Sequence, residues 1–329
     1  MTGASGNIGS AVLRELSSAG QDDVLGVARR KPSVPRESAF ASVRWRAADV
    51  AHDDLDEIFR GADAVIHLAW MFQPTRDPST TWRANAVGTR RMLEAVARQN
   101  VPAVVCASSV AAYSPVAHDD PVDEGWRTDG ASDAAYSREK AYVERVLDSF
   151  EATHPQTRVV RMRPAFVFQR SAASEQRRIF GGKLARPTFF DPQHIPVLPV
   201  PRGLRLQAVH AGDVARAFSA AVHRPVTGSF NLAGEGVLRR QELGALLDAR
   251  AFEVPVGVLH AVLATAWRTR LAPVPAELFD ALMHVPVMSC NRARTELDWV
   301  PHHTSADALA ALFSGAHQRA GSTMPPLHP

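Results

Sequence analysis

The sequence predicts an α/β protein: a doubly wound parallel sheet with a smaller carboxyl-terminal lobe. Three observations predict it. Short apolar runs alternate with helical stretches through the first half of the chain. A glycine-rich turn, TGASGNIG at 2–9, opens directly into a helical pattern. After about residue 165 the texture changes, and prolines cluster between 187 and 201. Apolar strands alternating with helices indicate a parallel sheet covered on both faces. Right-handed crossovers then wind it in both directions from the middle.

Taken in order, 7–20 reads as a helix stopped at Gly20, and 23–29 as a strand. The stretch 42–50 is a second strand ending near Asp49, followed by a helix over 53–62. A third strand, 62–70, is rich in apolar residues, and a helix over 80–100 stops at Asn100. The fourth strand spans 101–110, the next helix 134–154, and the fifth strand 157–168. The proline cluster implies irregular, non-helical backbone. Residues 205–222 read as strand, turn and helix, with Asp213 placed to cap the helix. A further strand covers 228–234, the remainder is mostly helical, and 320–329 reads as a loose tail. The expected division is a dinucleotide-binding unit over 1–164, rejoined by 205–235. Residues 165–204 and 236–329 then form a substrate-binding lobe over the carboxyl edge of the sheet, where open α/β sheets bind ligands. A strand normally precedes such a glycine turn, yet only Met1 precedes Thr2. The first strand is therefore expected to be missing and the start internal. A version extended upstream by a few apolar residues is expected to be more stable and to bind cofactor more tightly, because unpaired ladder groups are costly.

With 329 residues, 46% hydrophobic and 22% charged, the chain can bury a sizeable core without disulfides or metals. Its two cysteines, Cys106 and Cys290, lie far apart, which fits a reducing compartment and a cytoplasmic location. No signal peptide or membrane span is visible; the apolar stretch 256–267 is too short to cross a bilayer. The net charge of +3 is dispersed, with no basic run interleaved with aromatics, so neither nucleic acid nor membrane is an expected partner. His302 and His303 lack metal-ligand spacing, and no metal is expected. Cys106, inside an apolar strand, reads as core.

Three groups of residues carry chemistry. Gly3, Gly6 and Gly9 are spaced to give a tight turn that lets backbone approach a pyrophosphate, with a helix N-terminus behind it; the plain alternative is a turn without a ligand. Tyr136 and Lys140, four apart, share a helix face. An ammonium beside a phenol lowers its pKa and makes it usable as a general acid or base, although such a pair also arises by coincidence on a solvated face. Ser108 and Ser109 end the fourth strand, where a hydroxyl can hydrogen-bond a substrate oxygen or simply make a turn.

Together these segments resemble the extended branch of the short-chain dehydrogenase/reductase superfamily, the NAD-dependent epimerase/dehydratases, over nearly the whole chain. TGASGNIG resembles that branch's TGxxGxxG, SSVAAYS its SSxxVYG, and YSREK its YxxxK. RPAFVF, VHAGDVARA and ELDWVP resemble RPxxVYG, VHVxDVA and LGWxP. The resemblance implies a Rossmann fold and a hydride transfer at a substrate carbinol or carbonyl carbon. Tyr136 would exchange the proton, Ser109 would polarise the substrate oxygen, and Lys140 would hold the nicotinamide ribose and depress the Tyr136 pKa. It also implies a dinucleotide lying along Gly3, Gly6, Asn7, Ile8 and Gly9, with Asp49 and Val50 at the adenine. Leu68, Ala69, Asn85, Tyr136, Lys140 and Pro164 would complete the contact. Ala28 stands where an acidic residue would hold the ribose of NAD, and Arg29 and Arg30 follow it. Guanidinium suits a 2′-phosphate, so NADP is favoured over NAD; an ordinary basic loop is the plain alternative.

Two departures bear on the substrate. Ser114 replaces the glycine of the VYG element, with Ala112 before Tyr113, which weakens any transfer of sugar-nucleotide specificity. No clear diphosphate-binding arginine pattern stands in the second lobe; Arg170, Arg205 and Arg292 are candidates by position only. Trp70, Met71 and Phe72 could line a pocket or simply pack. The expected enzyme is thus either a sugar-nucleotide epimerase/dehydratase or a reductase of a more lipophilic alcohol or ketone. The apolar run 251–272 and the proline-rich segment favour the second, though helix packing explains them equally. A rival is a dinucleotide-sensing regulator, against which the intact Ser109, Tyr136 and Lys140 argue. A small-molecule substrate is the expected partner, and a homodimer is implied by the resemblance alone.

Overall fold

The structure, a computed structural model, describes residues 1–34, 38–72, 76–181 and 195–328. Helix α1 (Asn7–Ala19) follows the opening turn and leads to β1 (Leu25–Ala28) and β2 (Arg44–Ala47). Next come α2 (Asp56–Phe59), β3 (Val65–His67), α3 (Pro78–Trp82), α4 (Gly88–Arg98) and β4 (Ala103–Ala107). Then α5 (Ala135–Thr153), β5 (Arg158–Pro164), β6 (Phe166–Phe168) and α6 (Ala173–Gly181) complete the first half. The second half holds β7 (Val197–Pro201), β8 (Ala208–His210), α7 (Ala211–His223), β9 (Gly228–Leu232), α8 (Arg240–Leu246) and β10 (Arg250–Val254). It ends in α9 (Val256–Arg268), α10 (Ala276–His284), α11 (Asn291–Glu296) and α12 (Ser305–His317).

Strands β3, β4, β5 and β9 pair in that order, and β1 pairs β2, all parallel. Thr2 joins the two sets, bridging Val27 on one side and His67 on the other. Its N–H donates to Ile66 O at 2.9 Å, and Leu68 N–H donates back to Thr2 O at 3.1 Å. A single bridging residue thus stands where a central strand is expected. Both faces are covered. Val12 and Leu16 of α1 and Phe218 of α7 bury against Val105, Val160 and Phe230 on one face. Met92 and Val96 of α4 and Leu147 of α5 bury against Val104 and Val159 on the other. The stop signals behave as expected: Gly20 is left-handed with its N–H on Leu16 O, and Asn100 has φ 51°.

Several expectations are corrected. The strand over 157–168 breaks at Ala165: β5 stays in the main sheet, while β6 turns to pair with β8. Within 205–235, therefore, β9 returns to the main sheet and β8 does not. Asp213 does not cap α7. His210 occupies that position, its Nδ1 accepting from Gly212 N–H at 3.2 Å. Asp213 is buried one turn inside and accepts from His303 N–H at 3.0 Å and from Arg216 at 2.8 Å. Of the proline cluster, 187–194 lie outside the described residues, but Val197–Pro201 is regular strand paired with β10. The tail is not loose: Met324 and Leu327 are fully buried against Leu13 and Phe40, so apolar burial docks it.

Candidate active site

The opening turn separates its three glycines by what surrounds them. Gly3 has φ +67°, and a Cβ there would lie 2.4 Å from the Leu68 carbonyl carbon. A Cβ on Gly9 would lie 2.2 Å from Gly3 O. Both glycines are demanded by the protein's own packing. Gly6 is different: its φ of −81° is ordinary, and an added Cβ would meet only Gly3 O at 3.5 Å. Gly6 is also the N-cap of α1, and no side chain caps that helix. Uncapped first-turn N–H groups with open space before them suit an anion. The Asn7 side chain is already engaged, donating to Val167 O at 2.9 Å and accepting from Gln169 at 2.9 Å. Ile8 packs on the core. Of Asn7 and Ile8, the side chains are thus taken up by the fold, and only the backbone faces the turn's open space.

Around the turn, the carboxyl ends of the strands supply the next wall. Leu68 and Ala69 press on Gly3. Asp49 turns its carboxylate onto Ala51 N–H at 2.9 Å, and buried Val50 packs under Gly88, whose Cβ would lie 2.9 Å from Val50 Cγ2. Arg29 and Arg30 leave the end of β1 exposed and without a partner among the described residues. Pro164 ends β5 in register with Leu232.

Asn85 enters through a π turn, Arg83–Val87, between α3 and α4. Such turns insert one residue and re-aim a side chain. Fully buried, Asn85 accepts from Met71 N–H at 2.7 Å and donates to Met71 O at 3.1 Å and to Glu139 Oε2 at 2.7 Å. Thr81 Oγ1 donates to the other Glu139 oxygen at 2.6 Å. This clamp fixes segment 68–72 to the helix that carries Tyr136. His67 adds a second tie. Thr89 Oγ1 donates to Asn85 O at 2.6 Å, so it accepts from His67 Nε2 at 3.1 Å, which leaves Nδ1 to accept from Thr2 Oγ1 at 2.8 Å. Burial brings the His67 pKa down to about 3, and the ring is neutral.

Tyr136 and Lys140 lie on α5 as the spacing predicts. Ser109 lies against the Tyr136 phenol and favours its charged form, and its Oγ accepts from Ala111 N–H at 3.1 Å. Lys140 does not depress the tyrosine. Its Nζ donates to Ala107 O at 2.9 Å and sits 3.4 Å from the centre of the Trp70 ring, but 5.9 Å from that of Tyr136. Burial pushes Tyr136 up to about 12, against the Ser109 hydrogen bond, and brings Lys140 down to about 7, opposed chiefly by Glu144. Trp70 and Phe72 both stand edge-on to Tyr136, with ring centres at 5.9 and 4.7 Å.

Other candidates are occupied by the fold. Ser108 donates to buried Glu144 at 2.6 Å, and Glu144 also receives Arg163 at 2.9 Å through each of its oxygens. Ser114 donates to Asp129 at 2.9 Å. Arg205, buried, holds Val116 O, His118 O and Asp119. Arg292 holds Thr227 O, Ser229 O and Glu296, and Arg170 holds Gln318. Glu139 and Glu144 escape sequence reading because, on a helix also bearing Lys140 and Arg145, they look like solvated charges. Their burial is a tertiary fact.

The sequence model of the NAD dependent epimerase/dehydratase family matches residues 1–233. The chain belongs to this family. No curated protein matches the sequence. Among solved structures, the protein gox2253 is similar at 22% identity and TM-score 0.73, with 97% of each chain covered. The UDP-glucose-4-epimerase of Stenotrophomonas maltophila, solved with bound NAD, is similar at 18% identity and TM-score 0.73, again over 97% of each chain. The UDP-glucuronic acid 4-epimerase of Bacillus cereus, in complex with NAD, has 16% identity and TM-score 0.70, covering 97% of this chain and 98% of its own. These likenesses show the fold that this epimerase/dehydratase family member shares. Among the described residues no helix is long and apolar enough to cross a membrane, and no cluster of three metal-ligating side chains occurs.

Proposed function

We propose that the protein is a nicotinamide-dinucleotide-dependent oxidoreductase, epimerase or dehydratase acting at a carbinol or carbonyl carbon of a small molecule. The observation that carries this reading is the convergence of Ser109 on Tyr136, with Lys140 one helical turn away, at the carboxyl edge of the sheet. The dinucleotide fits the chain's own residues: Gly6 leaves open space at an uncapped helix N-terminus that no internal contact requires. The turn 3–9 would hold its pyrophosphate, Asp49 and Val50 its adenine, and Lys140 its nicotinamide ribose. When bound, the nicotinamide supplies the acceptor or donor of a hydride. Arg29 and Arg30, exposed and unengaged, support NADP over NAD; the NAD held by the similar epimerases supports the dinucleotide class. The lobe of 165–204 and 236–329 would cover the substrate. Two buried free cysteines fit a cytoplasmic setting.

The residues divide the work by charge state. With its pKa near 12, Tyr136 is a neutral phenol at pH 7 and is poised to give its proton to a substrate oxygen. Ser109 positions that phenol and can donate to the same oxygen. Lys140 is held by the Ala107 carbonyl and the Trp70 face, ready to receive a ribose hydroxyl. Replacing Tyr136 by Phe removes only the proton donor. Turnover is expected to fall by about 10²–10⁴-fold while dinucleotide binding, measured by calorimetry, persists. Full turnover in Tyr136→Phe would sink the assigned chemistry. Dinucleotide binding with no turnover on any carbonyl substrate would instead favour a sensing regulator.

A further inference from the structure

The surroundings of Tyr136 carry a statement about what it acts on, which rests on the enzymatic reading above. Phe72 stands edge-on to the phenol, with 4.7 Å between ring centres and 82° between planes, and Trp70 does the same at 5.9 Å and 83°. Phe72 continues to Phe180 at 5.5 Å, and Phe180 is 46% exposed. An unbroken run of aromatic rings therefore leads from the surface to the tyrosine. Edge and tilted arrangements suit further aromatic contacts along this run, one face of Trp70 being taken by the Lys140 ammonium at 3.4 Å. The Trp70 indole N–H is buried with no acceptor among the described residues, a donor that a polar atom of a ligand can satisfy. The segment carrying Trp70 and Phe72 is held firmly: Asn85 binds both the N–H and the carbonyl of Met71, between the two aromatics. Separately, the Arg76 guanidinium stacks on Trp267 of α9, 4.0 Å from the ring centre. The wall at Trp70–Phe72 is thus fixed by the Asn85 clamp and aromatic where the reacting oxygen would lie.

A nucleoside diphosphate sugar needs cationic partners for two phosphates. The three arginines whose positions suit that task are committed to the fold. Arg205 and Arg292 are each held by two backbone carbonyls and a carboxylate, with Arg205 Nε left unpaired, and the exposed Arg170 holds Gln318. We infer that the substrate is an aromatic ketone or its secondary alcohol, with its ring seated against Phe72 and Phe180 and its oxygen at Tyr136. In the reducing direction each turnover converts one C=O to CH–OH, taking a hydride from the reduced dinucleotide and a proton from Tyr136.

The test is calorimetric binding to the full chain loaded with dinucleotide, using benzylacetone and UDP-glucose as the two probes. Benzylacetone is expected to bind at least about tenfold more tightly than UDP-glucose. Phe72→Ala and Phe180→Ala are expected to weaken benzylacetone by about tenfold. Trp82→Ala, which removes an exposed aromatic outside the run, leaves it unchanged. Tighter binding of UDP-glucose, absent benzylacetone binding, or indifference to both phenylalanine variants overturns the inference. Turnover is read separately. Aromatic binding without any reduction would leave the substrate site standing and defeat the enzymatic reading instead.

Discussion

On one side of the site, residues 3–9 present backbone at an uncapped helix N-terminus. Gly3 and Gly9 are glycines because Leu68 and Gly3 O leave no room for a Cβ, and Gly6 is a glycine although nothing inside the protein excludes one. On the other side, around Tyr136, side chains from distant segments do the shaping: Trp70 and Phe72 after β3, Asn85 in the π turn, Ser109 after β4, and Glu139 on α5. The first side depends on neighbours in sequence and on the strand-end loop of Leu68 and Ala69, with Asn7 also tied to Val167 and Gln169. The second depends on buried polar ties between residues up to 58 positions apart, such as Thr81 to Glu139. The difference teaches where each side is fragile. The turn fails by steric clash, and the tyrosine side fails by loss of a partner in a low-dielectric interior.

The largest effect that sharpens this contrast is at Gly9. Gly9→Ala forces a Cβ onto two carbonyl oxygens, and chemical denaturation is expected to show a loss of about 3 kcal/mol. Gly6→Ala should leave the melting temperature within about 2 °C while weakening dinucleotide binding. Equal loss of stability in both variants breaks the distinction drawn between the glycines. Next in size, Asn85→Ala strands the Met71 N–H and a Glu139 oxygen inside the protein. About 2 kcal/mol of stability should be lost, with faster amide exchange at Met71.

The pH dependence tests the His67 tie between the two sides. Its folded pKa of about 3 lies below the ordinary 6.5, so the unfolded chain binds the extra proton between those values. Stability is therefore full above pH 6.5 and falls as the pH drops toward 3, with a limiting slope of about 1.4 kcal/mol per pH unit. Glu144, held near 2 by Arg163, adds its own loss only below about 4.5. Urea midpoints from pH 7 to 5 should flatten in His67→Gln. The smallest effect concerns the outer rim: Arg29→Ala with Arg30→Ala should weaken NADP by about tenfold and leave NAD unchanged. Tighter NAD than NADP binding in the parent protein removes the NADP preference.

Much of this is legible in the sequence alone. Alternating apolar runs placed the strands and covering helices because each periodicity is a local consequence of burial on a face. The tyrosine–lysine pair was legible because four residues make one helical turn. The broken strand at Ala165 was not legible, since hydrogen bonds to Leu232 and Gln207 decide it. Nor was the docked tail, whose Met324 and Leu327 meet Leu13 across more than 300 positions of chain.

By itself the sequence determined the α/β class, the family, the glycine turn and the helix face shared by Tyr136 and Lys140. Sterics and helical geometry act over a few residues and are written locally. Only the tertiary structure decided that Lys140 serves the Ala107 carbonyl and the Trp70 face and leaves the Tyr136 pKa high, that Ser109 and not Ser108 lies against the phenol, and that Arg205 and Arg292 are engaged by backbone carbonyls. Those outcomes turn on which buried polar group finds which partner, and the partners arrive from elsewhere in the chain.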